Sequence, residues 1–199
     1  MPAADLGGLI FRWDEFTPTP LILGIFIGIF AADLMTGLIH WVCDSIGSSS
    51  TPLWGPALVK PFRDHHREPS KITQISLAEN LGASSVAGCV VMALTWPILM
   101  GKYGVFLATF MSVFLAFTVW SNLFHRWSHI PLASRPKWMR YLQRVKIILD
   151  PSDHLIHHRK PHRVNYCILN GWANSITNRV PWSKLELFVQ KLGIRVNFD

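Results

Sequence analysis

Residues 21–42, LILGIFIGIFAADLMTGLIHWV, contain a single charged side chain, Asp33, in 22 positions. Two further stretches, residues 81–100 and 103–124, contain no charged side chain. A helix needs about 20 apolar residues to cross a hydrocarbon core about 30 Å thick. Each stretch is therefore predicted to be a transmembrane helix. Only Gly101 and Lys102 separate the second stretch from the third, so these two helices should form a tight hairpin.

The composition of the whole chain agrees with a membrane protein. Half of the 199 residues are hydrophobic, 16% are charged, and the net charge is +7. This mixture is too apolar for a disordered chain, and the length suits one domain, residues 1–199. A basic excess suits either nucleic acid or an anionic membrane surface, and the apolar excess favours the membrane, with no nucleic-acid partner. Three scattered cysteines do not make a disulfide framework.

The distribution of Lys and Arg predicts the orientation. Of 19 such residues, 17 lie in residues 43–80 and 125–199, which should therefore be cytoplasmic, with residues 1–20 as an outer tail. That tail has no cationic segment before a short apolar run, so no cleaved signal peptide is expected. The predicted fold class is an all-α integral membrane protein. Its three long transmembrane helices, with or without a fourth interfacial helix, carry a cytoplasmic cap of histidine-rich helices.

The carboxy-terminal third contains two amphipathic patterns at helical spacing. The first consists of Trp138, Tyr141, Leu142, Val145, Ile148 and Leu149, and the second of Trp182, Leu185, Phe188, Val189 and Leu192. Basic residues lie beside the first pattern, as in helices that lie in the lipid headgroup layer. Packing onto the cytoplasmic cap is an equal alternative, and the sequence leaves both open.

The nine histidines are the most informative feature of the chain. None lies in the outer tail, at the hairpin tip or in the middle of a span, so the predicted topology gathers all of them at one membrane face. They are His40, His65, His66, His125, His129, His154, His157, His158 and His162.

Their spacing predicts metal binding. On a helix, residues i and i+4 share a face, which unites His125 with His129, His154 with His158, and His40 with Asp44. The adjacent His65 and His66 diverge by about 100° and are placed to serve two different ions. Imidazole is a good ligand for iron, zinc, copper and nickel, and nine imidazoles exceed the four ligands of a zinc site. Two ions are the natural count; isolated surface histidines without a role are the alternative.

Missing motifs narrow the chemistry. The chain has no H-E-x-x-H and no C-x-x-C, which argues against zinc hydrolases and zinc deaminases. Glu68 and Glu79 are the only glutamates near the histidines, too few for a carboxylate di-iron bundle. A histidine-rich pair of ions at the end of a helix bundle instead points to oxygen-activating iron acting on a lipid chain.

Four motifs resemble the Kua/CarF-type membrane lipid desaturases, which include the plasmanylethanolamine desaturases. They are residues 33–44 (DLMTGLIHWVCD), 55–73 (GPALVKPFRDHHREPSKIT), 122–129 (NLFHRWSH) and 150–167 (DPSDHLIHHRKPHRVNYC), with 171–174 (GWAN) continuing the likeness. The resemblance extends over about residues 30 to 192, and the motifs together are highly specific.

The resemblance implies an oxygen-dependent enzyme with two iron ions. It would remove two hydrogens from the alkyl chain of an ether phospholipid and form the vinyl ether of a plasmalogen. Electrons would come from a separate b-type cytochrome or ferredoxin, and the location would be a bacterial cell membrane, or the endoplasmic reticulum in a eukaryote. Two alternatives stay open: an acyl-chain desaturase of phosphatidylglycerol or another phospholipid, and a non-catalytic metal-binding sensor or scaffold.

All nine histidines are candidate metal ligands, although His162 alternatively orients a ligand ring, because Pro161 interrupts the helix before it. Asp44 is a ligand or, by preference, an acceptor for His40. Asp33, an ionisable group inside a span, either partners a ligand ring or packs by hydrogen bonding, with Asn122 or Thr118 as its expected partner. Asn122 and Asp153 are further candidates for orienting the ligands. The candidates for holding the lipid phosphate are Arg159, Lys160 and Arg163, for which a solvated basic loop is the alternative.

Overall fold

The computed structural model describes residues 17–52, 54–99 and 104–197. Most of the predicted outer tail and the predicted hairpin tip, Gly101-Lys102, lie outside these residues. Three long helices run through the described part: α1 (Pro18–Ser45), α3 (Leu77–Leu99) and α4 (Gly104–Ser128). All three are long and apolar enough to cross a membrane. The three spans are confirmed, and the helices of α1 and α4 continue three and four residues beyond the predicted carboxyl ends.

The first helix packs closely against α4 because two of its glycines leave no side chain in the way. A Cβ on Gly24 would lie 2.9 Å from the carbonyl oxygen of Phe106, and a Cβ on Gly28 would lie 3.0 Å from that of Phe110. Small residues four positions apart commonly allow such close approach between membrane helices. The end of α1 that carries His40 is thereby fixed beside the end of α4 that carries His125.

Because of this close approach, replacing glycine with alanine should lower the stability of the protein at Gly24 but not at Gly82. In Gly24→Ala the new methyl group would clash with the backbone of Phe106 and the side chain of Thr109 and push α1 away from α4. Such overpacking should destabilise the protein by about 1–3 kcal/mol. Gly82→Ala in α3 is the matched control, since its Cβ meets nothing within 4 Å. Thermal unfolding in detergent should show a lower Tm for Gly24→Ala and an unchanged or higher Tm for Gly82→Ala. Equal Tm values would contradict the packing.

Short helices form a cap at the end of the bundle where α1 and α4 end and α3 begins. They are α2 (Lys60–Arg67), α5 (Lys137–Arg144), α6 (Pro151–His157), α7 (Asn174–Thr177) and α8 (Trp182–Lys191), with a π-helical turn at Gly55–Val59 and 3-10 turns at Pro69–Thr73 and Leu132–Ser134. The described residues contain no strand, only an isolated antiparallel bridge between Ile46 and Val196. The fold class is confirmed.

The prediction that the first amphipathic pattern forms one continuous helix was only partly right. Helix α5 ends at Arg144, and Lys146 adopts a positive φ of 56°, so the pattern is broken before Ile148. Met139 and Leu142 face the core, while Trp138 is 52% exposed and Tyr141 63% exposed. In the second pattern Trp182 is buried and packs on Trp41, whereas Phe188 and Leu192 are exposed. Each helix therefore packs on the cap and leaves an apolar face outside.

Residues 164–173 form an irregular segment, which we name the strap, that packs along α1. Residues 165–170 are all buried. The strap contacts α1 at several levels: a Cβ on Gly37 would lie 2.6 Å from the sulfur of Cys167, and Leu169 shares a core cluster with Ala32. The strap thus fills the space between α1 and the cap.

Candidate metal centre

Five imidazoles meet in one group at the end of the bundle. We name it group A: its members lie in α2, at the end of α4, directly after α4, in α6 and directly after α6, namely His65, His125, His129, His154 and His158. One nitrogen of each ring lies within 4.8 Å of one nitrogen of every other ring. The closest pairs of Nε2 atoms are 2.9 Å apart for His125 and His154, and 3.0 Å apart for His158 with both His65 and His154.

Three imidazoles and a carboxylate form a second group beside the first. Group B consists of His40, Asp44, His66 and His157, whose ligand atoms also lie within 4.8 Å of one another. The Oδ2 atom of Asp44 lies 3.1 Å from Nε2 of His66, 3.4 Å from that of His40 and 3.5 Å from that of His157. Asp44 can therefore offer an oxygen to an ion in this group, and whether it is a ligand or, as the sequence favoured, an acceptor for His40 stays a prediction.

The two groups interleave along the chain. His65 belongs to group A and the adjacent His66 to group B, and likewise His158 to group A and His157 to group B. The rings of His66 and His158 have centroids 4.9 Å apart, and those of His154 and His157 have centroids 5.6 Å apart. The expected divergence of His65 and His66 is what the structure shows, and ions held by the two groups would be close neighbours.

The nitrogen separations match ligands that share an ion. Two nitrogens that bind one ion at about 2.1 Å lie about 3.0 Å apart at a right angle and about 3.4 Å apart at a tetrahedral angle. Four of the Nε2 pairs within the groups are 2.9–3.3 Å apart. Moreover, Nε2 of His40 and Oδ1 of Asp44 in group B are buried without a hydrogen-bond partner. A ring nitrogen offers either one N–H or one lone pair, so Nε2 of His154 and Nε2 of His158 cannot each bond to two Nε2 neighbours, whereas a shared cation can bind all of them.

Burial in the cap lowers the pKa values of four group A imidazoles and so favours their neutral form. Burial, followed by neighbouring imidazoles, lowers the pKa values of His65 and His158 far below their usual range, and that of His154 also lies well below it. Burial lowers the pKa of His129 to about 4. A neutral imidazole carries the lone pair that binds a metal ion, so these rings are ready to bind at physiological pH.

Two arginines attach the histidine-bearing segments to the bundle. Arg63 donates to the carbonyl oxygens of Cys43, Asp44, Ile46 and Gly47, at 3.1–3.3 Å, which fixes α2 at the carboxyl end of α1. Arg126 in α4 donates to the carbonyl oxygens of Thr73 and Ile75, at 2.9 and 2.7 Å, and so fixes the approach to α3. Arg63 thereby satisfies carbonyl groups that have no partner within the last turn of α1. Sequence reasoning missed both arginines.

His162 lies outside both groups. Its Nδ1 donates to the backbone carbonyl of His157 at 2.9 Å, and its ring is 4.5 Å from that of His66. These contacts favour the alternative in which His162 orients group B rather than binding an ion itself. Its role as a ligand stays a prediction.

The predicted partners of Asp33 were wrong. Asp33 accepts four backbone N–H groups of the strap, while Thr118 donates to the carbonyl of Phe114 and Asn122 to Ser84 in α3. Asp153 does not reach a described histidine either; it accepts from Lys146 at 2.8 Å. The partners of Asp33 are backbone groups, which a sequence pattern does not reveal.

The three candidates for holding a lipid phosphate separate in the structure. Arg163 donates twice to the buried carboxylate of Glu186, at 3.0 and 2.7 Å, and Glu186 also accepts from Ser45. Arg163 is therefore engaged within the cap. Arg159 and Lys160 are exposed directly after His158.

Three spanning helices with eight imidazoles and one carboxylate gathered at one end define a multi-pass membrane protein with two candidate metal sites. More particularly, the chain belongs to the family of the lipid desaturase domain, whose model matches residues 29–196. The resemblance read from the motifs is thus confirmed.

Several characterised proteins are similar to the chain. Plasmanylethanolamine desaturase of Myxococcus xanthus is 38% identical over 156 residues, which are 77% of this chain and 54% of that protein. Plasmanylethanolamine desaturase 1 of Mus musculus is 34% identical over 198 residues, 92% of this chain and 69% of that protein. The chloroplastic fatty acid desaturase 4 of Arabidopsis thaliana is 32% identical over 179 residues, which are 88% of this chain and 54% of that protein. No solved structure matches.

Proposed function

We propose that the chain is a di-iron lipid desaturase that converts the alkyl ether of a phospholipid into a vinyl ether, as in plasmalogen synthesis. In this reaction one dioxygen takes two hydrogens from neighbouring carbons of the alkyl chain, together with two protons and two electrons, and leaves as two waters. The observation that carries the proposal is the pair of adjacent donor groups, A and B, at the membrane end of the helix bundle.

The depth of the two groups suits the carbons that would react. The first two carbons of an ether-linked chain lie next to the glycerol, close to the headgroup layer. His40 lies five residues before the end of α1, about 7.5 Å of helix rise, and His125 lies three residues before the end of α4. A chain lying along the spans would therefore present its first carbons, rather than its middle, to the groups.

In this proposal the protein holds and orients the ions and excludes water. Iron bound to groups A and B supplies oxygen activation and one-electron chemistry. The burial of His40, His125, His154 and His157 keeps the centre dry, which protects a reactive oxidant from side reactions. The single carboxylate of group B makes the two sites chemically different, because carboxylate oxygen is a harder ligand than imidazole.

The names of the relatives support an ether lipid as the substrate. Two of the relatives above, at 38% and 34% identity, are named plasmanylethanolamine desaturases, and their names also favour turnover over a non-catalytic sensor. The relative from Arabidopsis thaliana is named a fatty acid desaturase, which keeps an acyl chain as the second candidate. We further propose that the centre faces the cytoplasm, that a b-type cytochrome or ferredoxin delivers electrons there, and that Arg159 and Lys160 contact the lipid phosphate.

Lipid analysis tests the proposed reaction. Cells that lack plasmalogens, supplied with an alkyl glycerol and expressing the chain, should accumulate lipid that is two mass units lighter and releases an aldehyde in acid. The conversion should require oxygen and stop when an iron chelator strips the protein. Lipid that loses two mass units but is stable in acid would indicate the acyl reaction instead, and unchanged lipid would overturn the proposal.

A further inference from the structure

A buried carboxylate in the first span anchors the strap. Asp33 is fully buried, and its Oδ1 accepts the backbone N–H groups of Leu169, Asn170 and Gly171 at 3.1–3.2 Å. Its Oδ2 accepts that of Ala173 at 2.8 Å. One turn further along α1, Thr36 Oγ1 accepts the N–H of Ile168 at 3.3 Å. Two side chains on one face of α1 thus bind five backbone donors of an irregular segment.

These hydrogen bonds satisfy both the backbone N–H groups of the strap and the buried carboxylate of Asp33. Backbone outside a helix needs internal hydrogen-bond partners wherever water is excluded, and a carboxylate inside a span needs donors. An uncharged isostere cannot replace Asp33, because its amide group would face at least one N–H with another donor. The contact therefore requires the carboxylate itself rather than any polar side chain of its size.

The other end of the strap orients two ligands of group B. Nδ1 of His40 lies 2.9 Å from the carbonyl oxygen of Tyr166, and Nδ1 of His157 lies 2.8 Å from that of Val164. A carbonyl oxygen only accepts, so both rings donate from Nδ1 and leave Nε2 free for an ion. The partner of the second ring nitrogen commonly fixes the orientation and basicity of a histidine ligand.

Strap carbonyls hold two imidazoles of group B, whereas three imidazoles of group A have no such partner among the described residues. In group A, Nδ1 of His65, His154 and His158 has no hydrogen-bond partner. The described residues therefore show strap carbonyls on two imidazoles of group B and on none of these three. A displacement of the strap should disturb the two groups unequally.

We propose that Asp33 is a positioning residue for the ion of group B: it anchors the strap, and the strap carbonyls of Tyr166 and Val164 hold His40 and His157 with Nε2 toward that ion. This inference rests on the proposed function in so far as group B holds a metal ion. It goes beyond that function because it assigns a new role to Asp33, a carboxylate seven residues before His40. In this role Asp33 affects the affinity for the ion of group B and not the affinity for the ion of group A.

The test compares Fe²⁺ binding by the full chain and two variants in detergent without oxygen. Wild type should bind two ions per chain. Asp33→Asn should weaken one of them by about 10–100-fold, the usual effect of residues that orient ligands, and leave the other unchanged. Hydrogen exchange should show faster exchange of the amides of residues 168–173 in the same variant. Ser121→Ala, which removes a buried hydroxyl that bonds only within α4, is the matched control and should retain both ions.

A second variant displaces the strap without touching Asp33. Gly37→Ala places a methyl group against the Cys167 sulfur and should weaken the same single ion, which keeps the test decisive if Asp33→Asn does not fold. Faster strap exchange with both ions retained would overturn the proposal, and so would equal loss of both ions from a folded variant. Wild type that binds no iron would instead overturn the proposed function.

Discussion

Replacing His65 with alanine is expected to remove the ion of group A and to leave that of group B, whereas His66→Ala should do the reverse. The two residues are adjacent on α2, yet His65 Nε2 lies 3.0 Å from His158 and His66 Nε2 lies 3.3 Å from His157. Each variant should retain one iron per chain and lose at least about 100-fold in desaturation, since residues that merely orient ligands already contribute 10–100-fold.

Iron content of purified protein, measured beside lipid turnover, checks this expectation. The pair of variants is its own matched control, because both remove one imidazole from the same short helix. A further control is Arg67→Ala. Arg67 directly follows His66 and is exposed, so this variant should retain both irons and full turnover. If both histidine variants lost both irons, or if either kept its turnover, the division of the centre into two groups would be wrong.

Asp44→Asn is expected to abolish turnover while the protein remains folded. Asp44 supplies the only carboxylate in either group, and its Oδ2 lies within 3.5 Å of the Nε2 atoms of three imidazoles. The substitution preserves the size of the side chain but removes the negative charge that a cation attracts. We expect a loss of at least about 100-fold in turnover and weaker iron binding at group B alone.

Asp64→Asn is the matched control for this substitution. Asp64 lies on α2 near the same centre, but it is 44% exposed and forms ion pairs with Lys60 and Arg67. Exposed ion pairs contribute at most about 1 kcal/mol, so Asp64→Asn should leave turnover and iron content unchanged. Turnover of Asp44→Asn near that of Asp64→Asn would show that Asp44 is not part of the centre.

The spans could be predicted because each depends on a property of a contiguous segment. A run of about 20 apolar residues has few other stable arrangements in a membrane, so residues 21–42, 81–100 and 103–124 needed no tertiary information. The ends were less accurate: α1 continues to Ser45 and α4 to Ser128, because a helix can continue into polar residues after its apolar run has ended.

The convergence of the histidines could be predicted for a related reason. Helical spacing places His154 with His158 and separates His65 from His66, and topology brings the four segments to one end of the bundle. Which imidazole joins which group depends on how α2 and α6 pack against each other, and this was not predictable from spacing. His162 lies beyond the end of α6 with a positive φ of 58°, so helical spacing does not place its ring, and its role as a ligand stays a prediction.

The strap was not predictable because its contacts connect distant parts of the chain through backbone atoms. Asp33 and Gly171 are 138 residues apart, and His40 and Tyr166 are 126 apart. Every non-proline residue offers the same N–H and C=O groups, so nothing in residues 164–173 marks which of them meets α1. The contact of Arg163 with Glu186 joins two side chains 23 residues apart and was not predicted either; the sequence offered Arg163 only as a candidate for the lipid phosphate, with a solvated basic loop as the alternative.

The most direct measurement is the location of iron in the iron-loaded protein by anomalous X-ray diffraction at the iron edge. We expect two neighbouring peaks, one about 2.1 Å from the imidazole nitrogens of group A and the other at that distance from the nitrogens of group B and from Asp44. A single peak, or iron bound away from these nine side chains, would contradict this expectation.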